Sequence, residues 1–338
     1  MRKKAICMIM MTVLLGLTSC GNADTSGTPE TTQSESTQNS REQTSESENP
    51  GGGMRNGNGR GGSVENDEEA QEVIDAVKDR FKQFTYEDKE SGISLEYSLY
   101  IPEDSDSEPC PMIMFIPDST GSGKSAKEIV EQYYGADIWT SDEDQKKHPS
   151  FVLVPAFTET VVDDNFNVSD QVEAAVHLIS DLQNQYPIDK NRLYTTGQSM
   201  GCMTSLYLNS KYPDLFAASM FVSGQWDISV LTPLENKKFF YITAGGDEKA
   251  SGGQDEVMEM FKKDNISYSY GTWNAGKSAE EQDAEVQALL KKNLSANMIR
   301  FETGSVLSDN GNGMEHMASF NYAYKLTAVR DWIFQQKN

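Results

Sequence analysis

Several kinds of site are excluded by what the chain has little of. Three histidines and four cysteines in 338 residues form no Cys/His cluster with zinc spacing, and four cysteines cannot staple a scaffold of this length. Positive charge is scarce. Lysine and arginine number 29 against 52 aspartates and glutamates, for a formal net charge of −23. Nucleic acid and anionic membrane surfaces both need a cationic face, so neither is expected as a main partner. Aromatic residues are missing from Gly21 through Arg80. The apolar stretch from Ala5 to Leu17 is too short to span a bilayer.

That stretch has the layout of a targeting segment. Arg2, Lys3 and Lys4 precede it, and Leu17-Thr-Ser-Cys20-Gly follows it. The ending resembles the lipobox of bacterial lipoproteins. The resemblance implies that residues 1–19 are a signal peptide, removed before Cys20, and that Cys20 carries lipid on its sulfur and new amino group. Several acyl chains anchor stably where one does not. The expected location is the cell surface or periplasm, with membrane contact through this lipid only. Residues 20–66 are Ser, Thr, Gln, Glu, Asn and Gly, too polar to offset the entropy of ordering, and are expected to be a disordered tether. Within the remaining 67–338, Cys110 and Cys202 are the only thiols and are expected to be buried and free rather than paired.

From residue 84 onward, short apolar runs alternate with amphipathic stretches. Strands are expected over 84–87, 94–101, 112–116, 151–155, 192–196, 218–222, 239–244, 267–270 and 298–302. Helices are expected over 68–81, 126–134, 170–185, 200–211, 254–262, 279–292 and 318–335. Continuous apolar strands are those covered on both faces. Two initial strands followed by βα units imply an α/β fold with a mostly parallel central sheet flanked by helices.

Gly197-Gln-Ser199-Met-Gly201 lies between the apolar strand ending at Thr196 and the helix that follows. A sharp strand-to-helix turn leaves no room for Cβ atoms beside the serine, hence the two glycines. The turn exposes Ser199 Oγ and places the Met200 N–H at a helix N-terminus, where an oxyanion is stabilised. A serine needs a base and an orienting acid to act as a nucleophile at neutral pH. His177 falls inside a helix and His148 precedes Pro149, so both are expected to be structural. His316 follows the last strand in a Gly/Asn-rich loop and precedes the last helix, which makes it the candidate base. Asp247 follows the strand 239–244 and is the candidate acid, with Glu248 and Asp309 as fallbacks.

The run from Ile188 through Ser199 to Cys202, continued by Lys211-Tyr-Pro-Asp-Leu-Phe-Ala-Ala218 and Ser223-Gly224, resembles the serine esterases and predicted peptidases of the α/β-hydrolase superfamily. These include feruloyl-esterase-like and polyhydroxybutyrate-depolymerase-like groups. Thr243-Ala-Gly-Gly-Asp247 resembles their acid turn, and Glu315-His316 with Arg330-Asp-Trp-Ile-Phe334 their histidine and final helix. The likeness covers about Tyr97 to Gln336. It implies an α/β-hydrolase fold over 67–338, a Ser199–His316–Asp247 triad, no cofactor and no metal. The implied substrate is a small-molecule or polysaccharide-linked ester. Alternative readings are a serine peptidase of the same fold, or a catalytically weak protein that binds glycans or peptides.

One departure from the pattern stands out. Where these enzymes have His-Gly-x after the third strand, this chain has Pro117-Asp118-Ser119. The Ser119 N–H is the expected second oxyanion donor, and a carboxylate at Asp118 would oppose catalysis unless it points away. Asp118-Ser-Thr-Gly-Ser-Gly-Lys124-Ser125 also approaches the phosphate-binding G-x-x-x-x-G-K-[ST] pattern, with an acidic residue where the first glycine belongs. Asp163-Asp-Asn-Phe-Asn167 has calcium-loop spacing, but Val168 and Ala174 occupy the required Gly and Glu positions. Gln225 and Trp226 are expected to line the substrate pocket, and Trp139 and Trp273 to shape a lid.

Overall fold

Successive residues of a strand face opposite sides of its sheet, and here both sides are apolar. Met112, Met114 and Ile116 enter one core layer, while Ile113 and Phe115 enter the other. Leu153 and its neighbours Val152 and Val154 divide in the same way. Such strands require helices on both faces. That is the layering in the computed structural model, which describes residues 67–103, 105, 108–307 and 313–338. The residues expected to form a signal peptide and a tether, with Cys20, and the fallback acid Asp309 lie outside the described residues.

Nine strands among these residues form one sheet: β1 (Lys82–Glu87), β2 (Ser94–Tyr100), β3 (Cys110–Ile116), β4 (Phe151–Ala156), β5 (Ile188–Gln198), β6 (Ala218–Val222), β7 (Phe239–Ala244), β8 (Tyr268–Trp273) and β9 (Ala296–Phe301). Their order is β1-β2-β4-β3-β5-β6-β7-β9-β8. The pairs β1–β2 and β2–β4 are antiparallel. All other pairs are parallel. The helices are α1 (Glu68–Val77), α2 (Ala126–Val130), α3 (Tyr134–Asp137), α4 (Asp142–Lys147), α5 (Gln171–Gln185), α6 (Met200–Lys211), α7 (Glu248–Lys263), α8 (Ala279–Leu290), α9 (Glu315–Tyr324) and α10 (Thr327–Phe334). Leu178 of α5, Leu206 of α6 and Val257 of α7 fill the layer on the Met112 side. Ile74 of α1, Ile129 of α2, Tyr134 of α3, Val286 of α8, Phe320 of α9 and Ile333 of α10 fill the other.

All nine expected strands are present, and the helices differ from expectation in instructive ways. α7 starts at Glu248 rather than at residue 254, because the Asp247 carboxylate accepts the Ala250 N–H at 3.2 Å and caps it. The expected helix 318–335 is two helices. α9 begins at Glu315, so His316 lies in a first helical turn rather than in a loop. Beyond it, the Lys325 ammonium turns to Asp67 at 2.8 Å. Asp67 also accepts from Asn321 at 3.0 Å and caps α1 through the Ala70 N–H, fastening the start of the described chain to α9. The expected helix 126–134 stops at Val130 and resumes at Tyr134 as α3, and α4 was not anticipated.

Asp137 in α3 is fully buried, and neither carboxylate oxygen has a hydrogen-bond partner among the described residues. Burial pushes its carboxyl well above the usual carboxylate range, against the opposing charge of Lys78. The folded state therefore keeps a proton that the unfolded chain releases. Its stabilising contribution is complete below the unfolded carboxylate pKa and is lost as pH rises toward the folded value. Asp137→Asn removes this titration. We expect the variant to melt a few degrees above the native protein at pH 7.5, with the margin shrinking toward pH 4. Thermal unfolding followed by circular dichroism across that range checks this.

Candidate active site

The turn between β5 and α6 is built under steric compulsion. Ser199 has φ +51° and ψ −115°, a conformation that L-residues adopt only when their surroundings impose it. A Cβ on Gly201 would lie 2.0 Å from the Ile116 carbonyl oxygen at the end of β3, and one on Gly197 would lie 2.4 Å from the Gly201 carbonyl. Only glycine fits at either place. The Ser199 N–H donates to the Val222 carbonyl at 3.0 Å, which fixes the turn to β6.

His316 Nε2 lies 2.8 Å from Ser199 Oγ, and Nδ1 lies 2.6 Å from Asp247 Oδ2. A carboxylate only accepts, so Nδ1 carries the proton and Nε2 is the acceptor facing the serine hydroxyl. Asp247 follows β7 and His316 follows β9, and these strands are neighbours in the sheet. Strand order thus brings together three residues spread over more than a hundred positions. The Asp247 side chain is 6% exposed and that of His316 is 32% exposed. The fallback acid Glu248 is an exposed first-turn residue of α7. His148 bonds Asp331 at 2.8 Å and stacks on Phe334, and His177 bonds Asp88 at 3.1 Å, so both occupy structural positions.

The Asp118 carboxylate is 1% exposed. It accepts the Thr120 N–H at 2.8 Å, the Thr120 hydroxyl at 2.5 Å, the Tyr133 hydroxyl at 3.1 Å and the Gln198 amide at 2.9 Å. It anchors the turn after β3 from within. That turn carries Ser119 and packs on the N-terminus of α6, with Ser122 Oγ 3.8 Å from Met200 Sδ. Neither the Ser119 nor the Met200 N–H has an acceptor among the described residues. The segment is not a phosphate cradle. Lys124 donates to Gln132 at 2.5 Å and lies over the Tyr133 ring, and Ser125 closes a capping box with Glu128.

Gly224 approaches the Ser199 backbone, where a Cβ would lie 2.7 Å from the Ser199 carbonyl oxygen, while the next residue, Gln225, packs against Gly253 and donates to Asp164. Trp226 does not offer a face to the pocket. It is 4% exposed and packs edge-on against Tyr207 and Phe166. Trp139 and Trp273 are buried core residues rather than lid residues. The loop between β4 and α5 reaches Gln225 and Lys249, a contact that no local sequence signal announces. Asp164 accepts from Gln225 at 3.3 Å and pairs with Lys249, and Phe166 is held at φ +62° with 40% exposure. Asp163 accepts the N–H groups of Asn165 and Asn167, so the calcium-like spacing serves a turn. No group of three or more metal-ligating side chains occurs among the described residues. Cys202 is buried and Cys110 half-buried, and the two are not paired with each other. Burial pushes the Cys202 thiol up, leaving it inert beside the nucleophile.

The family described as putative esterase matches residues 168–338. Over 139 residues the chain is 27% identical to feruloyl esterase B of Talaromyces stipitatus, a stretch covering 39% of this chain and 36% of that protein. The chain therefore matches little more than a third of that curated relative's length. Among solved structures, a thermostable esterase superposes with a TM-score of 0.59 at 22% identity, covering 78% of this chain and 64% of that one. A ferulic acid esterase superposes with a TM-score of 0.50 at 9% identity, covering 75% and 98%. At such identities the likeness is one of fold, and the fold is that of the α/β-hydrolases.

Two substitutions test the construction of this corner. Asp118→Ala leaves several buried donors without an acceptor, each costing about 1–3 kcal/mol. Gly201→Ala forces Cβ into the β3 carbonyl. Both are expected to lower the thermal midpoint by many degrees, whereas Lys124→Ala should change it little.

Proposed function

From the premise that the chain belongs to the putative esterase family, we propose that it is a serine hydrolase of carboxylic esters acting through Ser199, His316 and Asp247. The observation that carries the reading is the unbroken hydrogen-bond chain Asp247–His316–Ser199, at 2.6 and 2.8 Å. Ser199 Oγ attacks the acyl carbonyl while His316 Nε2 takes its proton. Asp247 holds the imidazole in the required tautomer and stabilises its charged form. The Met200 and Ser119 N–H groups receive the oxyanion. Collapse of the tetrahedral adduct expels the alcohol, which takes the proton from His316, and water then releases the acyl group by the same steps in reverse.

The substrate we propose is an ester-linked acyl group, such as acetyl or feruloyl, on a polysaccharide. Three features support this: an imidazole that is 32% exposed, so that the ester can be presented from a larger body; the relative named as a feruloyl esterase; and the net negative charge, which disfavours strongly anionic substrates. The N-terminal sequence supports an extracytoplasmic enzyme held to the membrane by lipid on Cys20, with the tether giving the domain its reach.

Ser199→Ala and His316→Ala should each lower kcat on short p-nitrophenyl esters by about 10⁴-fold or more. Their thermal midpoints should stay near the native value. Panels of acetylated and feruloylated glycans against peptides then rank the substrates. A Ser199→Ala protein with native turnover would sink the mechanism.

A further inference from the structure

The first turn of α9, which carries the base, is fastened on two sides by residues outside the triad. On one side, the Glu315 carboxylate accepts the Gly246 N–H at 2.8 Å through one oxygen and the Gly304 N–H at 2.7 Å through the other. On the other side, the Ser319 hydroxyl donates to the His316 carbonyl at 2.8 Å and meets the Ser223 hydroxyl at 2.7 Å. Ser223 is itself pinned at the end of β6 by its N–H bond to Ile242.

We propose that Glu315 is a positioning residue, a clamp that sets the distance between His316 and Asp247. The proposal rests on the triad reading given above. Glu315 directly precedes the base, and Gly246 directly precedes the acid. One carboxylate therefore couples the two chain positions that must meet at 2.6 Å, and ties both to the loop after β9. The loops are shaped to admit it. A Cβ on Gly246 would lie 2.1 Å from Glu315 Oε1, and Gly304 turns its N–H inward at φ +80°. Backbone bonds hold the acid turn to its own strands, with the Gly245 N–H on the Phe301 carbonyl and the Asp247 N–H on the Ala244 carbonyl, and Asp247 Oδ1 caps α7 at 3.2 Å; Glu315 adds the tie from this turn to the start of α9, and so sets how closely the carboxylate approaches the imidazole. The Ser319–Ser223 tie is independent, so α9 stays docked when Glu315 is altered. A base displaced by a fraction of an ångström loses turnover before it loses fold.

A rival role for Glu315 is simply a negative charge favouring the N-terminus of α9. Glu315→Asp separates the two, because it keeps the charge in the first turn but is one methylene too short to bridge both N–H groups. Glu315→Gln keeps the length but turns an NH₂ toward one of the donors. Under the clamp, both variants lower kcat by about 10- to 100-fold with KM nearly unchanged and the thermal midpoint within a few degrees of native. A readout that does not depend on turnover is the downfield proton resonance of His316 Nδ1–H on Asp247, assigned by its absence in His316→Ala. It should be present in the native protein and broadened or shifted in both variants. Native kcat and an unmoved resonance in Glu315→Asp would overturn the proposal, as would a native protein lacking the resonance. If the native enzyme shows no Ser199-dependent ester hydrolysis, the catalytic reading fails, while the resonance still decides whether Glu315 sets the Asp247–His316 bond.

Discussion

The architecture of this site depends on one contact, the approach of the Gly201 backbone to the Ile116 carbonyl at the end of β3. It leaves no space for a side chain, so α6 can begin against the sheet only if the residue before it turns sharply. That turn forces Ser199 into a strained conformation and lifts its hydroxyl clear of both layers. Such strain persists only where the surroundings over-determine it. Here the surroundings are buried strands: β3, residues 193–198 of β5, and β6 lie within the sheet's interior, with α6 packed across them. The core does not merely support the site. It is what keeps the serine from relaxing.

From that fixed point, strand order does the rest. β7 and β9 lie side by side, so the loops at their ends can exchange hydrogen bonds although their residues are far apart in the chain. Asp247 caps α7 with one oxygen and meets the His316 imidazole with the other, and His316 lies in the first turn of α9. Two helix starts thus meet at the strand ends, that of α7 capped by Asp247 and that of α9 held by Glu315 on the Gly246 and Gly304 N–H groups. The edge strand β8 lies beyond β9 and takes no part in this arrangement.

What could be read in the sequence follows from how local each signal is. The central strands β3, β4, β6 and β7 were legible because continuous apolar runs flanked by turn residues are themselves the signature of burial on both faces. Ser199 was legible because the glycines around it answer a constraint within five residues, and His316 because the chain has so few histidines. The tryptophans misled, since an aromatic ring is equally suited to core and cleft. Trp226 is enclosed by Tyr207 and Phe166, partners from distant elements that no window around position 226 contains. The start of α9 was placed too late because its first turn is held by Gly246, Gly304 and Ser223, all contributed from elsewhere in the chain.

Asp118 shows the same limit most plainly. Read locally, a carboxylate beside an oxyanion donor is a defect, because like charges close together oppose the transition state. In the fold the side chain enters the interior, where Thr120, Tyr133 and Gln198 satisfy it, and burial with the nearby Asp118 charge pushes the Tyr133 phenol up so that it remains a donor. Gln198 belongs to the nucleophile turn itself, so the Asp118–Gln198 bond joins the segment carrying Ser119 to the segment carrying Ser199. Pro117 complements this, since it has no N–H to satisfy and fixes the backbone entering the turn. The Pro-Asp pair therefore provides an internally satisfied route to Ser119, whose N–H has no acceptor among the described residues. Under the oxyanion role proposed for Ser119, this turn of different composition takes the place that His-Gly holds in the sequences it resembles.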